Sequence, residues 1–267
     1  MAESNKGGSK EFIQRDVKKS SPAGTITFLG LRGLDPVLQY SLLTGGGAAL
    51  LGNLGISSIS PDAVIHTGIQ AIDALGLPLS HLIILAMAVG SAAKQGYWLV
   101  KLSEIYFPPT AAITVSVYNS FVNSVNTLLF VAAATSSTKA PAFPGTSIPY
   151  PLVVGPALYT VGIALEVVSE YQRKVFKDNP ANKGKVMRSG LWSWARHINY
   201  GGYALWRGAY SFASSGLVAG LVMGGGQAWD FVTRAVPSLN RYCSERYGEQ
   251  WESFKKDVKW TVLPGIY

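Results

Sequence analysis

Apolar and polar positions alternate along this chain in long blocks. After a polar opening, the stretch from Val37 to Ser57 carries no charge and holds Gly45-Gly46-Gly47. Leu79–Val100 is apolar apart from Lys94, Thr110–Thr135 is apolar apart from three asparagines, and Leu152–Val168 is apolar apart from Glu166. Each block is long enough to predict a helix crossing lipid. Pro108-Pro109 separates the second block from the third, because proline lacks an amide donor and restricts the residue before it. From Asn199 to Val236 the chain is apolar again. That run is too long for one crossing of a ~30 Å core at ~1.5 Å per residue. Ser214-Ser215-Gly216 is the predicted break, giving helices over 199–213 and 216–236.

Composition agrees with this reading. Of 267 residues, 48% are hydrophobic and 14% charged, against about 25% charged in an ordinary soluble domain. The mean hydropathy is +0.21. The expected fold is therefore all-α, a polytopic integral membrane helix bundle of about six segments in one domain spanning 36–267. Residues 1–35 are expected to form a polar tail, mobile over 1–25 and without the apolar core of a secretory signal.

The net charge of +8 comes from 23 Lys and Arg against 15 Asp and Glu. The basic loop 169–198 belongs in the cytosol by the positive-inside rule, and the loop 59–77, with Asp62 and Asp73 alone, on the other side. Six segments then place both termini in the cytosol. The cations are dispersed among loops that flank apolar segments, which argues against a nucleic-acid partner. One cysteine, Cys243, excludes an intrachain disulfide, and three histidines with one thiol give no structural metal site.

A charge inside lipid costs about 2.5–3.5 kcal/mol on insertion scales, so each polar side chain in these blocks calls for a partner. Asn119, Asn123 and Asn126 fall on one helical face. That face turns into the protein, either as glue between helices or as the lining of a substrate cavity. Lys94 is expected to snorkel to the interface, with Tyr97 or Glu104 as candidate proton donors. Glu170 has the spacing for pairing with Arg173 and Lys174, while Glu166 stands among aliphatic neighbours and is a second candidate catalytic group.

The densest chemistry lies near the C-terminal end. Arg196-His197-Ile198-Asn199-Tyr200-Gly201-Gly202 follows Gly190-Leu191-Trp192 at the mouth of an apolar segment. A guanidinium suits a phosphate or carboxylate, the other groups add directional hydrogen bonds, and the glycines permit close approach. As chemistry alone this is an interfacial anchor or an anion pocket. Tyr242-Cys243 through Phe254 alone would be an amphipathic tail helix.

Together these runs resemble a known family. GLWSWARHINYGGY is similar to the GLW-x-x-SRHPNY-x-G element of membrane reductases of the steroid 5-alpha-reductase type, and RYCSERYGEQWESFKKDVKWTVLPGIY resembles the closing stretch of the sterol reductases. Glu166, Glu170, Tyr171, Gln172 and Phe176 resemble the E…D-W-Q-x-x-F stretch of a related reductase-like family. The resemblance covers about 160–267. The RHP-x-Y-x-G element is shared with isoprenylcysteine and phospholipid methyltransferases.

The resemblance implies a cytosolic tail enclosing a cofactor. Trp192, Arg196, His197, Asn199 and Tyr200 would contact NADPH, Arg234, Tyr242 and Tyr247 would close the pocket, and Asn240 would bond a ribose hydroxyl. It implies reduction of a carbon–carbon double bond in a lipophilic, steroid-like or enoyl substrate, in the endoplasmic reticulum membrane; Tyr97, outside the resembling stretch, is the candidate proton donor. The alternatives are a SAM-dependent methyltransferase of a prenyl or phospholipid substrate and a degenerate membrane scaffold. Ile198 replaces the family's proline, no acid follows the NY-x-G element, and Leu239-Asn240 replaces the acids before the closing cysteine.

Overall fold

The computed structural model describes residues 20–60 and 62–267. Among the described residues the fold is helical throughout, with isolated bridges such as Ser58 to Ala132 and no named strand. The main helices are α1 (Pro22–Ser41), α2 (Gly47–Asn53), the short α3 (Gln70–Asp73), α4 (Leu79–Tyr97), α5 (Pro109–Val131), α6 (Pro151–Asp178), α7 (Ile198–Asp230), α8 (Val236–Tyr247) and α9 (Glu249–Asp257). Proline opens α1, α5, α6 and α8, where its missing donor costs nothing and its fixed φ suits the first turn.

These helices pass back and forth between two ends of the body. Gly24 at the start of α1 abuts the Phe107 backbone just before α5, so tightly that a Cβ would lie 1.7 Å from the Phe107 oxygen. The far end gathers the close of α5 and the break in α7: Ser215 Oγ donates to Thr135 O at 2.7 Å and Ser137 Oγ to Ala213 O at 2.5 Å. α4 and α6 run parallel, since Ser91 meets Tyr159, Lys94 meets Glu166 and Glu104 meets Lys174. α7 is two antiparallel arms, because Ser215 (φ −143°) and Gly216 (φ 80°) leave helical geometry. Gly208 of the first arm sits where a Cβ would come within 2.9 Å of Gly220 O and 3.0 Å of Gly224 Cα in the second. Small residues let the two backbones touch, as in lipid-embedded helix pairs.

The expected tail over 1–35 is corrected from Pro22 onward, where α1 begins; residues 1–19 lie outside the described residues. The first pass is thus longer than the predicted 37–57. It continues from α1 through the wide turn Leu42–Gly46, where Gly45 takes φ 126°, into α2. Arg32 and Asp35 made this segment read as tail. They pair at 3.1 Å and are each 1% exposed.

That pair belongs to an inverted distribution of polarity. Gln39, Asn119, Asn123, Asn126 and Arg207 are also buried, whereas Leu34, Val117, Phe121, Val218 and Val222 are exposed. Water would penalise such a surface, while hydrocarbon demands it, because polar groups there must be satisfied from within. Two helices, Leu79–Leu102 and Pro151–Asp178, are long and apolar enough to cross a membrane. The others hold polar side chains or breaks that lower their apolar character.

Lys94 does not snorkel. It is buried against the Glu166 carboxylate, which also accepts from Trp206 Nε1 at 2.8 Å. The Lys94 ammonium lies 5.6 Å from the Trp206 ring centroid. Removing one member of a buried pair strands the other charge and typically costs about 3–5 kcal/mol, whereas replacing both by apolar groups is tolerated. Lys94→Met or Glu166→Leu alone should lower the thermal midpoint sharply in detergent. The double substitution should recover most of that loss, read from a double-mutant cycle of unfolding midpoints.

Candidate functional site

A cavity of about 500 Å³ opens at the end of the body where α6 leaves, α7 begins and α8 and α9 return. Five cations line it, Arg173, Lys177, Lys183, Arg196 and Arg246, and among the described residues no carboxylate does. The remaining wall includes Trp192, His197, Asn199, Tyr242, Cys243, Tyr247, Trp251 and Phe254.

Close backbone packing builds the floor. Gly190 takes φ 61°, and a Cβ there would lie 2.5 Å from the Gln172 amide oxygen, which accepts the Leu191 N–H at 2.9 Å. The turn therefore docks on α6 and delivers Trp192, whose Nε1 donates to Ser169 O at 2.8 Å. Gly201 meets the tail, with a Cβ position 2.4 Å from Val262 O, and Gly202 meets α6, 2.7 Å from Gly162 O. These two glycines thus serve backbone approach.

The tail is held by Arg196. Its guanidinium donates to Val258 O, to Lys259 O at 3.1 Å and to Thr261 Oγ1 at 2.9 Å. The backbone N–H groups of Arg196 and His197 donate to Trp260 O and Thr261 O. Gly248 (φ 51°) turns α8 into α9. The apolar side of α9, Trp251 and Phe254 with Val258, packs against Val186, Cys243 and Tyr247. Lys177 Nζ donates to Tyr247 Oη at 2.8 Å, and Arg188 Nη2 to Gln250 O at 2.7 Å, tying this cap to the basic loop.

Burial holds the His197 imidazole at about 4, with Arg196 and Arg173 adding repulsion and Asn240 opposing them. At neutral pH the ring is uncharged. Burial also pushes the Cys243 thiol up, against the pull of Lys177, Arg173 and Arg246. Arg196 is lowered by burial but stays a cation. His197 Nε2, Asn199 Oδ1, Arg196 Nε and Trp251 Nε1 are buried without a protein partner, although all four residues line the cavity. Buried polar atoms left unpaired are costly, so they mark positions where a ligand or water completes the bonding.

The predicted residues fall into three groups. Trp192, Arg196, His197, Asn199, Tyr242 and Tyr247 line the cavity. Tyr200 stacks at 5.7 Å on His197 and at 4.4 Å on Phe231, and Asn240 acts on His197, so both support the wall from behind. Arg234 is exposed and bonded to Asp230, Tyr97 is 43% exposed on α4, and Glu166 is in the helix interior; none of these lines the cavity. Asn119, Asn123 and Asn126 bond Arg207, Asp35 and Ser211 across helices instead. The sequence reading missed Lys177, Lys183 and Arg246 as one charged wall, although the basic run after Glu170 was its signal. Glu170 also does more than pair with Arg173, since its Oε1 accepts from Asn199 Nδ2 at 2.7 Å.

Residues 109–258 match the family described as a protein of unknown function, DUF1295. A protein of Ustilaginoidea virens named probable O-methyltransferase ustE is 39% identical over 240 residues, covering 89% of this chain and 84% of its own. A Delta(14)-sterol reductase of Neurospora crassa is 29% identical over 161 residues, 43% of this chain and 33% of its own. A 7-dehydrocholesterol reductase of Danio rerio is 31% identical over 98 residues, 34% of this chain and 19% of its own. The chain thus spans a third or less of these reductases. It belongs to the DUF1295 family, and the resemblance to the sterol reductases read from its motifs stands.

The unfolded chain takes up a proton at His197 near 6.5, the folded chain only near about 4. Stability is therefore whole above pH 6.5 and falls as pH drops from 6.5 to 4, by about 3 kcal/mol. Unfolding midpoints against pH should show this slope in the native chain and a flatter one in His197→Gln. Arg196→Ala should free the tail, read as faster proteolysis around 255–262 at neutral pH with the body intact.

Proposed function

We propose that this chain is a membrane-embedded NADPH-dependent reductase of a carbon–carbon double bond in a lipophilic, steroid-like or enoyl substrate. The observation that carries it is the cavity wall of five cations without a carboxylate. A phosphorylated dinucleotide satisfies such a wall, whereas SAM carries a sulfonium and an ammonium and has no phosphate. Arg173, Lys177 and Arg246 would hold the phosphates. His197, Asn199 and Trp251 would complete their bonding on the uncharged parts of the ligand. NADPH, when bound, supplies a hydride.

The chain's own groups then have two tasks. Glu170 orients Asn199 and Arg173, and Arg196 keeps the tail closed against water. A proton must also reach the substrate. The buried Lys94–Glu166 pair, one helical turn from Glu170 on α6, is one candidate to supply it. Tyr97, near Lys94 on α4 and open to the exterior, is the other candidate. A cytosolic cavity end accords with the basic run after Glu170 and with the acids-only loop at the opposite end.

A second reading, SAM-dependent methyl transfer, is favoured by the likeness to the Ustilaginoidea virens protein, which extends over most of both chains. Thermal shifts on the purified protein separate the two. NADPH at about 100 times its Kd should stabilise by about 2.7 kcal/mol, and Lys177→Gln with Arg246→Gln should weaken it at least tenfold and flatten its salt dependence. Stabilisation by S-adenosyl-homocysteine and not by NADPH would reverse the order. Silence with both would favour a scaffold.

A further inference from the structure

The helix interior away from the cavity holds more positive charge than it neutralises. Arg32, Lys94 and Arg207 are buried there with two carboxylates, Asp35 and Glu166. Asp35 is taken by Arg32 and Glu166 by Lys94. Glu170, nearer the cavity, is committed to Arg173 and Asn199. Arg207, 1% exposed, is left without an ion pair among the described residues.

Its polar contacts do not replace one. Nη2 donates to Asn119 Oδ1, an oxygen that also accepts from Gln95 Nε2 at 2.7 Å. Nε meets the Tyr203 hydroxyl at 3.2 Å, and the guanidinium lies 4.4 Å from the Trp206 ring centroid. Nη1 has no partner. Gln95 Oε1 accepts Arg32 Nε at 2.7 Å, so Gln95 and Asn119 bridge the two arginines, and Arg32 Nη2 is unpartnered as well. Asn126 Nδ2 and Ser116 Oγ are buried and unbonded too, and Asn123 Oδ1 is the unbonded acceptor on this face. The interior therefore has spare positive charge and more spare donors than spare acceptors. In lipid a buried guanidinium with an unfilled donor is costly, so an acceptor oxygen is favoured there.

We propose that Arg207 and Arg32, bridged by Asn119 and Gln95, form a second binding site within the helix interior for the acceptor oxygen of a lipophilic molecule, a carboxylate or a ketone. Apolar surface surrounds this polar centre on the outer faces of α1, α5 and α7, so a ligand with a hydrocarbon body and one oxygen-bearing end matches it. The inference rests on the membrane reading and is independent of which cofactor the cavity holds.

Three probes with one chain length test it on the purified full-length protein in nanodiscs: dodecanoate, 2-dodecanone and dodecane. Binding is read from tryptophan emission, to which Trp206 beside Arg207 contributes, and from thermal shift. At least one oxygen-bearing probe should bind about tenfold or more tighter than dodecane. The carboxylate arm leading indicates an anionic ligand, and the ketone arm leading indicates a carbonyl. Arg207→Met should abolish the preference, and Arg207→Lys, which keeps charge but loses the fork, should retain part of it. The thermal response of the cation-lined cavity to NADPH should be the same in both variants as in the native chain. Equal affinity for all three probes, or a preference that survives Arg207→Met, would overturn the site. If Arg207→Met does not fold, the native chain's ranking and Arg207→Lys still decide it. A native chain that ignores NADPH yet prefers the oxygen-bearing probes would sink the cofactor reading and leave this one standing.

Discussion

A polar group surrounded by hydrocarbon has no solvent to fall back on, and that constraint arranges the helices. Asp35 on α1 reaches Arg32 on its own helix and Asn123 on α5. Gln39 of α1 takes Thr127 and Ser124 of α5. Lys94 joins α4 to α6, and Trp206 adds the first arm of α7 to the same carboxylate. Individual bonds of this kind are worth only about 0.6 kcal/mol in lipid. Their joint effect is selective, because any rotation of a helix would turn charge towards lipid and aliphatic side chains inward.

The same helices carry the interior to the cavity. Glu166 and Glu170 lie on consecutive turns of α6. One fastens the core through Lys94 and Trp206, and the other orients Asn199 and Arg173 at the cavity wall. Gly202 sits against Gly162 and Glu166, close enough that any side chain would push α7 from α6. The cavity wall is therefore no loose appendage. Its cap, α8 and α9, is fixed through Arg196, which bonds two carbonyls and the Thr261 hydroxyl of the tail. The arginine expected to grasp a ligand acts chiefly as a latch, and the cations of the basic loop and α8 face the opening.

The apolar blocks for α4, α5 and α6 and the break at Ser215-Gly216 were legible because proline, glycine and continuous aliphatic runs mark them directly. The start of α1 was not, since Arg32 and Asp35 each look like solvent residues until their pairing across one turn is seen. Arg207 was hidden differently, as one cation in a run otherwise of Ala, Gly, Leu, Tyr and Trp. Of the candidate site, the Arg-His-Asn run and the two tyrosines were readable from local motifs. Tyr97 and Arg234 shared that character but face other ways, and helical phase over such short separations depends on packing. The basic wall was illegible as a unit because Lys177, Lys183 and Arg246 come together only when α8 returns to α6.

The polar partners also emerge in a particular order during synthesis. Outside α1, the bonded partners of the Arg32–Asp35 pair, Gln95, Ser120 and Asn123, belong to α4 or α5. The first half of the chain can therefore shelter its charges before α6 has left the ribosome. Arg207 arrives last, when Asn119 is already shared with Gln95. The first arm of α7 therefore brings in an arginine whose nearest acceptor is shared. Close packing along Gly208, Gly220 and Gly224 sets the sister arm against the turn that carries it.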